Sequence, residues 1–106
     1  MICLWRERTM PIRAKKTSSE EREEAETLAL QGLAFLFEDA ARLLRFLKLT
    51  GLEPGEVRAR AGTPELSLAV LEHLAGDESL LLVFAAHRAV APESIGHAIA
   101  VLERGR

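Results

Sequence analysis

Apolar side chains recur every three to four residues along most of the chain after residue 18, which is the spacing of amphipathic helices. Residues 18–21 have the S-x-x-E form of a capping box and predict a first helix that starts after Ser18 or Ser19 and runs to about Phe37. Asp39 is a favourable N-cap for a second helix, and Gly51 stands where a helix commonly ends. The first half of the chain therefore predicts two helices with a short connection.

The second half of the chain continues the alternation of apolar stretches with residues that start or stop helices. A short third helix is predicted to begin at Pro54 and to turn Val57 and Ala61 inward. Residues 80–86 are apolar on every side, so we expect the fifth helix to be central and buried, contacted by the first, second and sixth helices. The start signals of the fourth, fifth and sixth helices are Thr63-Pro64, Asp77 and Ala91-Pro92-Glu93.

No segment alternates apolar and polar side chains for long enough to predict a strand, and no Asn-Gly or Asp-Gly hairpin turn occurs. Leu and Ala, both strong helix formers, supply most of the apolar side chains. The predicted fold class is all-α, a compact orthogonal bundle of five to six short helices. The length of 106 residues fits one domain, which we place at residues 19–106.

The N-terminal segment, residues 1–18, lacks a sustained helical or strand period. We predict a disordered or loosely docked basic tail, because residues 1–16 hold five basic residues and a single acidic one. An anchor in which Leu4 and Trp5 contact a membrane or a partner is the alternative. Met10 is a second candidate for the start of the biological chain.

The balance of charge narrows the choice of partners. The formal net charge is -2, and the excess of acid lies after residue 16, which argues against DNA or RNA as the main partner. The glutamate-rich residues 20–24 are interpreted as a solvated helix face, with a docking surface for a basic partner as the alternative. No stretch approaches the ~18–20 apolar residues of a membrane span, and the single cysteine, Cys3, suits a reducing compartment. We expect a cytoplasmic protein that does not enter the membrane.

Residue types that carry catalysis or bind metals are present, but not in the arrangements that such chemistry needs. No two of the three histidines stand four residues apart, as the zinc-protease motif requires. Glu93 and His97 are at i and i+4, yet zinc takes three or four ligands. No nucleophile elbow surrounds a serine, and no glycine-rich loop is built to hold a phosphate. We predict a non-enzymatic protein without catalytic residues, metal, cofactor or small-molecule ligand.

Residues 43–61 resemble a DNA-binding helix-turn-helix in outline, with a turn at residues 50–52. Leu47 stands where a small residue usually lets the helices approach, and Arg60 stands where an apolar residue should anchor the second helix. A helix-turn-helix-like DNA-binding regulator is therefore the alternative function. It requires one continuous basic surface made by Arg42, Arg45, Lys48, Arg58 and Arg60, not interrupted by Glu38, Glu53 and Glu56.

The first two helices carry more apolar side chains than one face of each can bury in a small core. We expect part of this surplus to be exposed as an interaction patch, and the candidate partner-contact residues are Leu30, Phe37, Phe46 and Leu49. The leading interpretation is a non-enzymatic protein–protein interaction or adaptor domain. Its partner is either a second copy, in a two-fold homodimer, or an unknown protein. The alternative is that the other helices cover these side chains.

Several phrases of the sequence resemble those of a known family, namely residues 26–36 (ETLALQGLAFL), residues 45–52 (RFLKLTGL), residues 58–61 (RARA) and the leucine-rich segment near Leu80. They are similar to a family of short alphaproteobacterial proteins classed as a domain of unknown function, over about residues 20–104. The resemblance implies a bacterial, cytoplasmic, helical protein, and it implies no activity and no catalytic residues. The basic tail lies outside the shared part.

Overall fold

The computed structural model describes residues 18–104, and six α-helices account for most of them. No strand occurs within residues 18–104, so the prediction of an all-α bundle is confirmed. The predicted N-terminal tail falls at residues 1–17, outside the described residues, apart from Ser18. None of the described helices is long and apolar enough to span a membrane. The helices are α1 (Ser18–Phe37), α2 (Ala40–Thr50), α3 (Pro54–Ala59), α4 (Pro64–Ala75), α5 (Glu78–Arg88) and α6 (Glu93–Arg104).

Local capping explains where the helices start and stop. Asp39, Thr63 and Asp77 each accept a hydrogen bond from a backbone N–H in the first turn of α2, α4 and α5, at 2.8, 3.3 and 3.2 Å. Gly51 adopts a left-handed φ of 76°, which ends α2 at little steric cost. These boundaries agree with the sequence, and α1 is described from Ser18, within the capping-box pattern of residues 18–21.

Three helices, α1, α4 and α6, pack most extensively on one another and form the centre of the bundle. α1 and α4 approach closely at Gly32, where a Cβ would lie 3.0 Å from a side-chain carbon of both Leu74 and Val70. A residue without a side chain therefore lets α1 lie against the apolar side chains of α4. α4 is buried on several sides, through Leu66, Ser67, Leu68, Val70, Leu71 and Leu74.

The fifth helix, α5, lies at the periphery, so the prediction that it is central and buried is wrong. Phe84 is fully buried, but Leu82 and Val83 are 51% and 49% exposed. The helix packs chiefly on α4 and on the end of α1, where the Phe84 and Phe35 rings lie 5.3 Å apart. A helix that is apolar on all sides can be buried, but the packing of the other helices decides whether it is. In this protein the other helices surround α4 instead of α5.

The third helix is also shorter than predicted. It ends at Ala59, so Ala61 lies exposed in the connection to α4 instead of facing inward. Val57, the other residue predicted to face inward, is fully buried. A single buried side chain thus attaches α3 to the core.

Candidate functional site

A groove of about 890 Å³ lies between α1 and α6. One wall is formed by residues 20–31 of α1, and the other by Val90 and the first half of α6. We refer to this feature as the α1–α6 groove.

Polar contacts made by Glu21 join the two walls of the α1–α6 groove at one end. The Glu21 carboxylate lies 3.8 Å from His97 Nε2 and 3.6 Å from an Arg104 guanidinium nitrogen. Arg104, at the end of α6, lies beside Glu21 near the start of α1, whereas Val90, just before α6, lines the same groove as Gln31 farther along α1, so the two helices run antiparallel. The beginning of α6, with Ser94, and Val90 ahead of it therefore lie farther along α1.

The floor of the α1–α6 groove is apolar. Ala25, Leu28 and Ala98 are buried, and Val90 is half-buried. Val90 reaches this position because Ala89 adopts a left-handed φ of 57° at the end of α5, and the Val90 N–H then donates to a carbonyl of the last turn, 3.0 Å away. The left-handed residue thus turns the chain back toward α1.

The rim of the α1–α6 groove is acidic at the end where α1 starts. Its glutamates are Glu20, Glu21, Glu23 and Glu24. The helix dipole stabilises acids in the first turn, which accounts for Glu20 and Glu21, but the effect fades beyond that turn. Among the described residues that line the groove, His97 is the only group able to carry positive charge. The groove therefore runs from an acidic end to an apolar end at Leu28 and Val90.

The polar residues of the groove do not form a metal or nucleophile site in the described part of the chain. No group of three or more His, Cys, Asp or Glu side chains within residues 18–104 is placed to hold a metal ion. His97 contacts Glu21 of α1. The acid that the sequence spaces to share a helix face with His97 is instead Glu93, four residues earlier. Both Ser94 and His97 line the groove, yet no hydrogen bond between them occurs in the described residues. The arrangement is a concave surface with carboxylates at one end and an apolar floor.

A smaller cleft of about 350 Å³ lies between α2 and α4, lined by Arg45, Leu49 and His73. The His73 and Phe46 rings pack edge to face, with ring centroids 5.1 Å apart and planes at 75°. Burial lowers the pKa of His73 below its ordinary value of 6.5, and the nearby Arg45 charge lowers it further, whereas Asp77 opposes the shift. The His73 Nε2 atom is buried and accepts no hydrogen bond within the described residues.

The four predicted partner-contact residues do not share one environment. Leu30 and Leu49 are 46% and 67% exposed, as expected. Phe37 is half-buried, with the Arg58 guanidinium 5.9 Å from its ring centroid. Phe46 is fully buried, so it is not among the members of this set that are exposed. It lies on the side of α2 that faces α4 and His73, because the core takes the aromatic ring and leaves the neighbouring leucines of α2 outside.

The segment that resembles a helix-turn-helix is arranged differently from that motif. α2 packs chiefly on α1 instead of on α3. Arg42 stacks 4.0 Å from the Phe35 ring centroid and donates to the Phe35 carbonyl at 3.1 Å. Arg45 faces Asp77 at 4.0 Å. Arg42 and Arg45 thus face different neighbours, and this geometry lends no support to the DNA-binding alternative.

The start of α3 would carry the contacts to bases in that alternative, and it is acidic. The Glu53 N–H donates to the Glu56 carboxylate at 2.9 Å, and Glu56 also lies 3.8 Å from Arg60. These glutamates cap the start of α3, and Glu56 also pairs with Arg60, the residue that follows the helix.

Sequence reasoning identified the acidic residues of the groove but not the groove itself. The run at residues 20–24 contains acids beyond the first turn of α1, where stabilisation by the helix dipole no longer accounts for them. Val90 and Ala98 carry no such signal, because their role depends on the antiparallel packing of two helices far apart in the sequence.

Comparison with known proteins supports the resemblance seen in the sequence. A family model described as "Protein of unknown function (DUF3572)" matches residues 22–105, which is most of the chain. The chain belongs to the DUF3572 family. The DUF3572 match covers α2 to α6 and all but the start of α1, so it includes most of the α1–α6 groove. No curated protein and no solved structure matches the chain.

Proposed function

We propose that this DUF3572 protein is a non-catalytic protein-interaction domain that binds an extended peptide segment with basic and apolar side chains in the α1–α6 groove. The observation that carries the proposal is the combination, in one groove, of a buried apolar floor and an acidic rim. The apolar floor supplies affinity through burial, and the carboxylates supply orientation and selection for positive charge.

The dimensions of the groove suit a short segment. At a rise of about 1.5 Å per residue, the α1 wall from Glu20 to Gln31 is about 17 Å long. An extended chain covers that distance in about five residues. Such a segment carries its basic side chains at the acidic end and its apolar side chains at the end marked by Leu28 and Val90.

The exposure of the rim favours binding over catalysis. Glu23, Glu24 and His97 are exposed to solvent. Acid–base and nucleophilic catalysis use groups that a shielded site holds against a reacting atom. A solvated carboxylate rim instead recognises positive charge that itself stays partly hydrated.

The test is an NMR titration of the ¹⁵N-labelled full chain with a capped synthetic peptide that has the sequence of residues 10–17, MPIRAKKT. Saturable shifts of the backbone amides of Thr27, Gln31, Val90 and Ser94 are expected. Raising the salt from about 0.05 M to about 0.5 M should weaken binding, because exposed charges are then screened.

Matched variants separate specific recognition from bulk charge. Glu23→Gln should weaken peptide binding about twofold, the equivalent of one screened ion pair of about 0.5 kcal/mol. Glu65→Gln removes the same charge from an exposed position outside the groove and should leave affinity unchanged. Equal weakening by both variants, or shifts that do not cluster at the groove, would contradict the proposal.

A further inference from the structure

We propose that two copies of this chain pair through the exposed side of α2 and α5, an interaction separate from peptide binding in the α1–α6 groove. Leu44 of α2 is 54% exposed, and Leu82 and Val83 of α5 are 51% and 49% exposed. None of these three side chains lines the groove. An exposed apolar area shared by neighbouring helices commonly marks an interaction site. We refer to this surface, which carries Leu44, Lys48, Glu78, Leu82 and Val83, as the α2–α5 face.

Two ion pairs hold α2 and α5 side by side. The Arg88 guanidinium at the end of α5 lies 2.7 Å from the carboxylate of Glu38, just ahead of α2. Arg45, farther along α2, lies 4.0 Å from the carboxylate of Asp77, which caps the start of α5. The start of α2 is therefore beside the end of α5, so the two helices run antiparallel.

Both helices turn a leucine away from the core. In α2, Leu44 stands two residues before the fully buried Phe46. In α5, Leu82 stands in the same relation to the fully buried Phe84. At 3.6 residues per turn, side chains two residues apart point about 200° away from each other. Burial of the two rings thus directs both leucines to the solvent side of their helices.

Each of these leucines has an exposed charge one turn away, and the two charges are opposite. Lys48 follows Leu44 by four residues, and Glu78 precedes Leu82 by four residues, so each charge shares a helix side with its leucine. Within the described part of the chain, the side chains of Lys48 and Glu78 have neither an ion pair nor a hydrogen bond. Both charges are therefore available to another molecule.

The spacing along the two helices makes the α2–α5 face complementary to itself. Counted from the ion pair of Glu38 with Arg88, the two exposed leucines each lie six residues along the chain, and Lys48 and Glu78 each lie ten. At about 1.5 Å per residue, the members of each pair are at the same level to within about one turn. A two-fold axis parallel to the helices keeps these levels and lays α2 of one copy on α5 of the other. Leucine then meets leucine and Lys48 meets Glu78, each contact occurring twice, which selects a second copy as the occupant.

The size of the α2–α5 face sets the strength of the dimer. Two adjacent helices of 11 residues present an area of the order of 300 Å² in projection. A stable interface buries about 800 Å² on each partner, so this one belongs to the weak, transient class. We expect a dissociation constant of the order of 100 μM. Such a dimer is dissociated at the few-micromolar concentrations of an unfolding experiment.

Sedimentation equilibrium of the full chain, from about 10 μM to about 1 mM, measures the dimer. Either Lys48→Glu or Glu78→Lys should weaken it about tenfold, because two attractive contacts in each dimer become repulsive. The two substitutions together rebuild both ion pairs in reverse and should restore the dissociation constant to within about twofold of the parent value.

Matched controls separate these contacts from general effects of charge. Arg58→Glu changes a basic residue in the last turn of a helix, as Lys48→Glu does, and Glu65→Lys changes an acid in a first turn, as Glu78→Lys does. Both control positions lie outside the α2–α5 face, so both variants should dimerise like the parent. Lys48→Glu combined with Glu65→Lys keeps the net charge without rebuilding the ion pair, so it should stay weakened.

NMR spectra of the ¹⁵N-labelled chain, recorded over the same range of concentration, locate the contact. The amide signals of Leu44, Lys48 and Leu82 should shift with concentration, whereas those of Thr27 and Gln31 in the α1–α6 groove should not. A chain that stays monomeric at about 1 mM overturns the inference. A dimer whose shifts cluster in the groove, or one that the combined Lys48→Glu and Glu78→Lys variant does not restore, overturns it as well. The peptide titration of the groove is read independently, so each of these results leaves the proposed function standing.

Discussion

At the scale of single residues, the environment of His73 links the core to pH. Its imidazole lies between α2 and α4 and packs edge to face with Phe46, and its Nε2 atom is buried and lacks a hydrogen-bond partner in the described residues. The charges facing it are Arg45 from α2 and Asp77 from the connection to α5. Burial disfavours the imidazolium form, and the guanidinium outweighs the carboxylate, so the native state favours the neutral ring.

The folded protein is therefore expected to lose stability in mild acid. The pKa of His73 is below 6.5 in the folded chain, so on lowering the pH through 6.5 the unfolded chain takes up the proton first. The contribution is complete above pH 6.5 and falls as the pH drops from there toward the folded pKa. Urea unfolding at about pH 7.5 and about pH 5.5 measures the loss, and an NMR titration of the His73 ring gives its pKa.

Variants assign this loss to His73. His73→Gln should reduce the difference in unfolding free energy between the two pH values. His97→Gln, which removes an exposed histidine, should leave intact the part of this difference that His73 contributes. A difference that is the same in His73→Gln as in the parent protein would show that His73 does not link folding to pH.

At the scale of helices, α4 and α5 show what the sequence can and cannot specify. Both segments are rich in leucine, and both begin at a cap that the sequence predicts, Thr63 and Asp77. Capping is local, because it involves residues within one turn, so the starts of these helices were predictable. Burial depends on neighbours elsewhere in the chain, so the exchange of roles between central α4 and peripheral α5 was not.

Truncations within α5 should therefore differ sharply in cost. Phe84→Ala removes a fully buried ring packed on Phe35 and should cost about 3–5 kcal/mol of unfolding free energy. Leu82→Ala, at a side chain that is 51% exposed, should change stability by no more than about 0.5 kcal/mol. Urea denaturation of both variants provides the measurement. A cost for Leu82→Ala that approaches the cost for Phe84→Ala would mean that a partner or a second copy covers this face of α5.

At the scale of the whole molecule, the α1–α6 groove exists because the first and last described helices meet. The acidic run of α1 is readable from the sequence, as is the basic segment before it. The apolar floor is not, because Leu28 and Ala98 acquire a common surface only through the antiparallel packing fixed by Glu21, His97 and Arg104. The positions of the helices were therefore predictable from local sequence pattern. The groove was not, because it depends on how helices far apart in the sequence pack together.

The same topology predicts an uneven distribution of stability. α1, α4 and α6 bury one another, so their amide hydrogens should exchange only when the whole bundle unfolds. α5 is held by Phe84 against α4 and α1, and by the Arg88–Glu38 ion pair of 2.7 Å at its end, so it should also open by itself.

Native-state hydrogen exchange should give α5 amides protection about ten- to a hundredfold lower than α4 amides. Arg88→Gln should lower protection in α5 while leaving α4 and α6 close to the parent values, because it loosens only the local attachment. Equal protection of α4 and α5, or an equal response of both to Arg88→Gln, would instead mean that the six helices unfold as one cooperative unit.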